Sequence, residues 1–154
     1  MQYYGERKCC DPRKLKRSLC LILEALGDEV SDRAFYQCLI KIAPDCDQQE
    51  IIKSIRDDEI KHFKMFRRIY REITCEQPVP DQQEKFEEPE SYCAGIQKAI
   101  FGELNAVEVY REIMFGLCTR RHRDMLFEII TDEIKHSVKW NFLYTKNCCE
   151  CGCD

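Results

Sequence analysis

The chain has 154 residues, 24 basic and 28 acidic side chains, a net charge of −4 and 12 cysteines. That length makes one ordinary domain with a buried core; the negative balance argues against nucleic acid as the main partner, since phosphate neutralisation needs a basic face. No apolar run approaches the ~20 residues of a membrane span, so no membrane role is expected.

Residues 1–12 form an N-terminal arm carrying Cys9 and Cys10, with no apolar stretch of the kind that directs export. Cytoplasmic residence is therefore expected, with reduced thiols, and dense thiols then suggest metal handling more than disulfides. Asp11-Pro12 is a helix start signal, and apolar periodicity runs from Leu15 to about Ile42, where Pro44 stops it. Asp47 with Glu50 forms a pair of the capping-box kind, opening a second helix that reaches about Ile73. Residues 74–89 are polar, contain three prolines and read as a linker. A third helix starts near Pro89 and fades at Gly116; Thr119 caps a fourth that ends near Lys146. Residues 147–154 form a cysteine-rich tail, and the six scattered cysteines (Cys20, Cys38, Cys46, Cys75, Cys93, Cys118) read as small buried or half-buried fillers.

Sliding the chain over itself by 74 residues places Ile22 on Ile96, Glu29 on Glu103, Tyr36 on Tyr110 and Ile55 on Ile129. It also lays Asp-Glu-Ile-Lys-His at 58–62 on its copy at 132–136. A helix pair has been duplicated. Each helix has an apolar stripe of the bundle type, and each stripe is interrupted at mid-length: by Glu29, by Glu59 and His62, by Glu103, and by Glu133 and His136. A carboxylate drawn from water into an apolar seam costs several kcal/mol unless something compensates. Four facing carboxylates repel, and two divalent cations would cancel their charge. Glu and His three apart on one helical face can both reach one ion, so a two-metal site is the expectation.

In this pattern, one Glu from each of two helices and Glu-x-x-His from each of the other two, the chain resembles the ferritin-like diiron-carboxylate superfamily. The stretches EALGDEVSDRAFY and KAIFGELNAVEVY, each followed thirty residues after its Glu by DExxH, look most like the rubrerythrin-type diiron domain, over residues from about 15 to 146. The resemblance implies an all-α, ferritin-like four-helix bundle over residues 13–146, with a long crossover between helices two and three. It implies two iron ions, with Mn(II) or Zn(II) as substitutes. Glu59 and Glu133 would lie close to both, Glu29 and Glu103 one toward each, and His62 and His136 would bind one each. It further implies that Asp58 accepts a proton from His136 and Asp132 from His62, and that Tyr36 and Tyr110 hydrogen-bond ligand carboxylates; solvated aspartates and ordinary core tyrosines are the plain alternatives. The implied activity is oxidation of Fe(II) by hydrogen peroxide or dioxygen in oxidative-stress defence. An external protein would donate electrons, and the chain would be a homodimer. Iron storage or handling without sustained peroxidase turnover is the alternative.

Three features depart from the family. Ala106 stands where the rubrerythrin pattern has a further Glu; its repeat mate Asp32 could supply a seventh carboxylate, with a solvated face as the favoured expectation. Arg33 interrupts an inner stripe and could turn outward or pair with a carboxylate. The tail offers one metal-knuckle-like cluster, Cys148, Cys149, Cys151 and Cys153, without a second; it could hold Cu(I) or Zn(II) or be prone to disulfides, but a flexible tail with no site is the simpler expectation. His122 lies eleven residues, or ~16 Å, before Glu133 and belongs at a bundle end, beside basic Arg120, Arg121 and Arg123. The duplicated pairs face each other only if helices two and three run the same way. The linker must then cross the bundle, and the two termini leave from opposite ends.

Overall fold

The computed structural model describes residues 10–80 and 87–149. They form four helices and, among the described residues, no strand: α1 (Pro12–Ile42), α2 (Cys46–Thr74), α3 (Tyr92–Gly116) and α4 (Arg120–Cys148). Each start has a side-chain cap for an otherwise orphaned N–H. Asp11 accepts from the Arg13 amide, Asp45 from Gln48, Ser91 from Ala94 and Thr119 from His122. Three boundaries differ from the sequence reading. Helix α3 begins at Tyr92, behind the Ser91 cap, rather than near Pro89. The α2 cap is Asp45, because its carboxylate can reach both the Gln48 amide at 2.8 Å and the Gln48 side chain at 2.7 Å, which leaves Asp47 in the first turn. Helix α4 continues to Cys148, two residues past the expected end, because that residue is tied to α3.

Helix α1 packs on α2, α3 on α4, and the two pairs meet through α1 against α3 and α2 against α4. Tyr92 at the start of α3 donates to Gln48 at the start of α2, so these helices run parallel and the linker crosses the bundle's length. Ser18 donates to the Ile113 carbonyl at 2.9 Å, and a Cβ at Gly116 would collide with Ser18 and the Lys14 main chain; glycine there lets α1 and α3 approach closely. Two apolar clusters fill the interior. One is built around Leu26, Phe66, Ile69, Ile113 and Leu126, the other around Leu39, Ile52, Ile96, Trp140 and Leu143. The interrupting acids and histidines lie between them.

The cysteines depart from expectation. Cys93 is bonded to Cys148 and Cys10 to Cys118, closing opposite ends of the bundle, so none of the four is a thiol, and Cys93 and Cys118 are not the fillers expected. Cys20, Cys46, Cys75 and Cys149 are exposed and Cys38 is half-buried. Cys148 is therefore unavailable to a tail metal site in this state, while Cys9, Cys151 and Cys153 lie outside the described residues. Cys10 and Cys148 sit at opposite ends of the bundle, as the topology required. Among the described residues no helix is long and apolar enough to cross a membrane.

Candidate metal centre

Glu29 and Glu103 come from the middles of α1 and α3, and Glu59 with His62 and Glu133 with His136 from α2 and α4. All six side chains meet at the waist of the bundle, each at most 3% exposed, so water cannot solvate their charge. They form two groups of four: Glu29, Glu59, His62 and Glu133, and Glu59, Glu103, Glu133 and His136. Within each group one donor atom per residue lies within 4.8 Å of all the others. Donors bonded to a common cation at roughly 2.1 Å stand at most ~4.2 Å apart, so only a small contraction separates these groups from coordination geometry. Glu59 and Glu133 belong to both groups.

The histidines are oriented from outside. His62 Nε2 donates to Asp132 at 3.2 Å, and His136 Nε2 to Asp58 at 3.0 Å, the cross-pairing that the resemblance implies. Burial alone would raise the Asp132 carboxyl, but hydrogen bonds from Lys135, His62 and Lys61 outweigh it and hold the group well below the usual range. Each imidazole therefore turns Nδ1 inward. Nδ1 of His62 hydrogen-bonds Glu59 at 3.2 Å and lies 2.9 Å from Glu133, out of line for a hydrogen bond, and 3.9 Å from Glu29. Nδ1 of His136 lies 3.3 Å from Glu59 and 3.4 Å from Glu103, both out of line for a hydrogen bond.

Five buried side-chain atoms among the described residues lack a hydrogen-bond partner, and four of them are here: Glu29 Oε2, Glu59 Oε1, Glu133 Oε1 and His136 Nδ1. Buried polar atoms in folded proteins are nearly always paired, so four orphans at one point mark donors for something else. Four carboxylates and two imidazoles suit a pair of divalent first-row ions. The residues present fit a dimetal centre.

The outer carboxylates are held across the bundle. Tyr36 of α1 donates to Glu103 of α3 at 2.7 Å, and Tyr110 of α3 to Glu29 of α1 at 3.0 Å. Burial, then the facing glutamate, pushes both phenols well above their ordinary value, so they are protonated donors. Sequence reasoning missed one residue and misplaced another. Trp140 Nε1 donates to the same Glu103 oxygen at 3.0 Å; its repeat mate is Phe66, which has no such donor, and this inequality across the 74-residue repeat was the available signal. Asp32, expected on a solvated face, is half-buried. Burial, then the charges of Glu59, Glu103 and Asp28, raises its carboxyl well above the ordinary value.

Other expectations resolve simply. Arg33 turns from the centre, with its guanidinium 5.1 Å from the centre of the Phe63 ring. His122 is buried at a bundle end and bonds Glu72 at 2.9 Å; Arg121 also pairs with Glu72, Arg120 with Asp124, and Arg123 reaches the Leu117 carbonyl. The basic helix start is thus largely neutralised locally.

Protons stand in for cations in this geometry. Burial, then repulsion from Glu59, raises Glu29 and Glu133 well above 4.5. Burial of Glu59 is outweighed by His136 and His62, which lower it to about 2; burial of His136 is outweighed by Glu103 and Glu59, which raise it to about 10. The raised groups bind protons that the unfolded chain releases above 4.5 for the two glutamates and 6.5 for His136. Their contribution is complete below those values and is lost as pH climbs, through about 10 for His136. The Glu59 contribution is present above 4.5 and is lost on acidification toward about 2. In chelator the melting temperature should therefore fall from about pH 5 to pH 9, while metal affinity, which needs deprotonated donors, rises over the same range. A chelated protein that gains stability toward pH 9 would contradict this protonation pattern.

No family model matches the chain, and no solved structure matches it. The chain is similar to the uncharacterized protein YhjR of Bacillus subtilis (strain 168), 29% identical over 121 residues that cover 79% of this chain and 81% of that protein. That similarity carries no activity with it.

Proposed function

We propose that the chain is a non-haem diiron redox protein of the ferritin-like, rubrerythrin-type kind, oxidising Fe(II) with hydrogen peroxide or dioxygen. The observation that carries this reading is the pair of overlapping four-donor groups sharing Glu59 and Glu133, with Nδ1 of His62 and of His136 aimed into one group each. Glu29 and His62 would hold one ion, Glu103 and His136 the other, and Glu59 and Glu133 would serve both. When bound, two Fe(II) ions supply two electrons, enough with two protons to take hydrogen peroxide to two waters.

The chain's own residues do the rest. Asp58 and Asp132 keep the Nε2 proton on each imidazole, so that Nδ1 presents its lone pair. Tyr36, Tyr110 and Trp140 occupy the outer oxygens of Glu103 and Glu29 and fix which oxygen faces inward. Phe66, Ile22, Ile55 and Ile129, all fully buried, exclude bulk water. A separate protein would return the electrons that close the cycle. The donor set also accepts Mn(II) or Zn(II), and those ions would compete for it.

The test is anaerobic reconstitution followed by peroxide addition, watched optically. The reading requires about two irons per chain, peroxide-dependent appearance of an Fe(III) charge-transfer band, and its bleaching by reductant over repeated cycles. Many irons per chain in a hollow assembly would support storage instead, and failure to bind iron would remove the reading.

A further inference from the structure

Cys10 and Cys118 are bonded to each other, and each stands immediately before a helix cap: Asp11 caps α1 and Thr119 caps α4. The bond therefore lies where two helix N-termini come together. Each terminus carries roughly half a positive charge, and a thiolate beside it is stabilised. Side chains add to that field. A cavity of about 250 Å³ is lined by Cys10 and Cys118 together with Lys14 and Arg123. It shares Lys14 with a neighbouring cavity of about 440 Å³ that reaches Arg13 and Arg17.

The acids on these walls are already engaged. Asp11 accepts from the Arg13 amide and lies 3.8 Å from the Arg13 side chain, and Glu112 pairs with Arg17 at 3.0 Å. Arg123 donates to the Leu117 carbonyl, and among the described residues neither it nor Lys14 is paired with an acid. A disulfide thus lines a cavity whose charge is positive. The other disulfide is placed differently. Cys148 ends α4, where the helix dipole is negative, and packs against the apolar cluster around Leu39 and Trp140, so a thiolate is disfavoured there.

We propose that the Cys10–Cys118 bond is a thiol–disulfide exchange site whose substrate is a small thiol carrying carboxylates. The incoming thiolate attacks Sγ of Cys118, which is exposed, whereas Cys10 is half-buried. A bond forms between these two sulfurs, the Cys10–Cys118 bond breaks, and its electron pair leaves on Cys10 as a thiolate. A second small thiolate attacks the outer sulfur of the mixed disulfide, and Cys118 leaves as a thiolate in turn. Two small thiols are then oxidised to one disulfide, the two cysteines have gained the electron pair, and the protons of the small thiols have passed to solvent. Lys14 and Arg123 act twice: they attract the anionic thiol and stabilise the thiolates that it releases. None of these residues belongs to the metal centre, so the inference stands whether or not iron is bound.

The test uses the full oxidised chain in EDTA, with its free thiols alkylated so that they cannot compete. Glutathione, which has a net negative charge, is compared with cysteamine, which carries an ammonium. Each rate is taken per thiolate and relative to the same thiol's rate on 2-hydroxyethyl disulfide. Peptide mass spectrometry after acid quenching locates the mixed disulfide. The expected first adduct is glutathione on Cys118, with the Cys93–Cys148 bond intact. Glutathione should be favoured over cysteamine by about tenfold in low salt and by less than about threefold at about 0.5 M salt, because salt screens the attraction. Lys14→Gln/Arg123→Gln should bring the two thiols within about twofold in low salt and leave the Cys93–Cys148 rate unchanged. Should the double variant fail to fold, the salt dependence of the wild type decides. A first adduct on any other cysteine, equal rates for the two thiols in low salt, or a preference that survives high salt or loss of both cations would each overturn the inference.

Discussion

Adding Fe(II), Mn(II) or Zn(II) to chelated protein should raise its melting temperature by roughly 15–30 °C, more than any single substitution changes it. At a thousandfold excess over each dissociation constant, one ion contributes ~4 kcal/mol and two contribute ~8 kcal/mol. For a chain of this size each kcal/mol moves the midpoint by about 2–4 °C. The gain is large because the metal-free centre is strained electrically. Glu29 and Glu133 keep protons they would shed in water, and four buried donor atoms have no partner. Cations remove both defects at once. Thermal melts with and without EDTA check this; a shift under about 2 °C with all three metals would mean the donors are not a metal site.

Two neutral substitutions at the shared carboxylates should have opposite consequences without metal and the same one with it. In chelator, Glu133→Gln should change stability by less than ~1 kcal/mol, because the carboxyl it replaces already carries a proton and the amide has nearly its shape. Glu59→Gln should cost about 3–5 kcal/mol. It removes the anion that faces both histidines and leaves the His136 cation with one fewer partner in a site that excludes water. With metal present, both variants lose a residue common to the two donor groups, and both should retain close to no bound ion. Glu29→Gln touches one group alone and should keep the ion held by Glu103 and His136. Denaturant melts in EDTA, paired with metal analysis of each variant, separate these outcomes. Equal metal loss from all three would show that the groups do not share Glu59 and Glu133.

Much of the centre was legible because burying charge violates the pattern of an apolar stripe. Glu29, Glu59, Glu103, Glu133, His62 and His136 each stand where an aliphatic residue should be, and the 74-residue repeat doubles the signal. The cross-pairing of Asp58 with His136 and Asp132 with His62 came from the family resemblance rather than from the residue pattern, and both contacts are present. What escaped depended on distances that no periodicity encodes. Trp140 continues the α4 stripe as any core aromatic would, and its N–H reaches Glu103 only because α3 and α4 pack closely. Asp32 lies off the inner stripe of α1, yet the bundle is tight enough to half-bury it near Glu59 and Glu103. Asp45 rather than Asp47 caps α2 because the backbone is extended at Asp45 and already helical from Cys46, a one-turn choice that the two acids alone do not decide. The disulfides escaped because spacing does not determine connectivity: Cys10 with Cys118 and Cys93 with Cys148 meet only at the ends of the assembled bundle.

The most direct measurement is anomalous X-ray scattering at the iron edge from crystals grown anaerobically with Fe(II). Two peaks between Glu59 and Glu133 are expected, one beside Nδ1 of His62 and the other beside Nδ1 of His136. Crystals soaked in saturating iron whose only peaks lie at the surface, with the six buried side chains bonded to one another, would contradict the account.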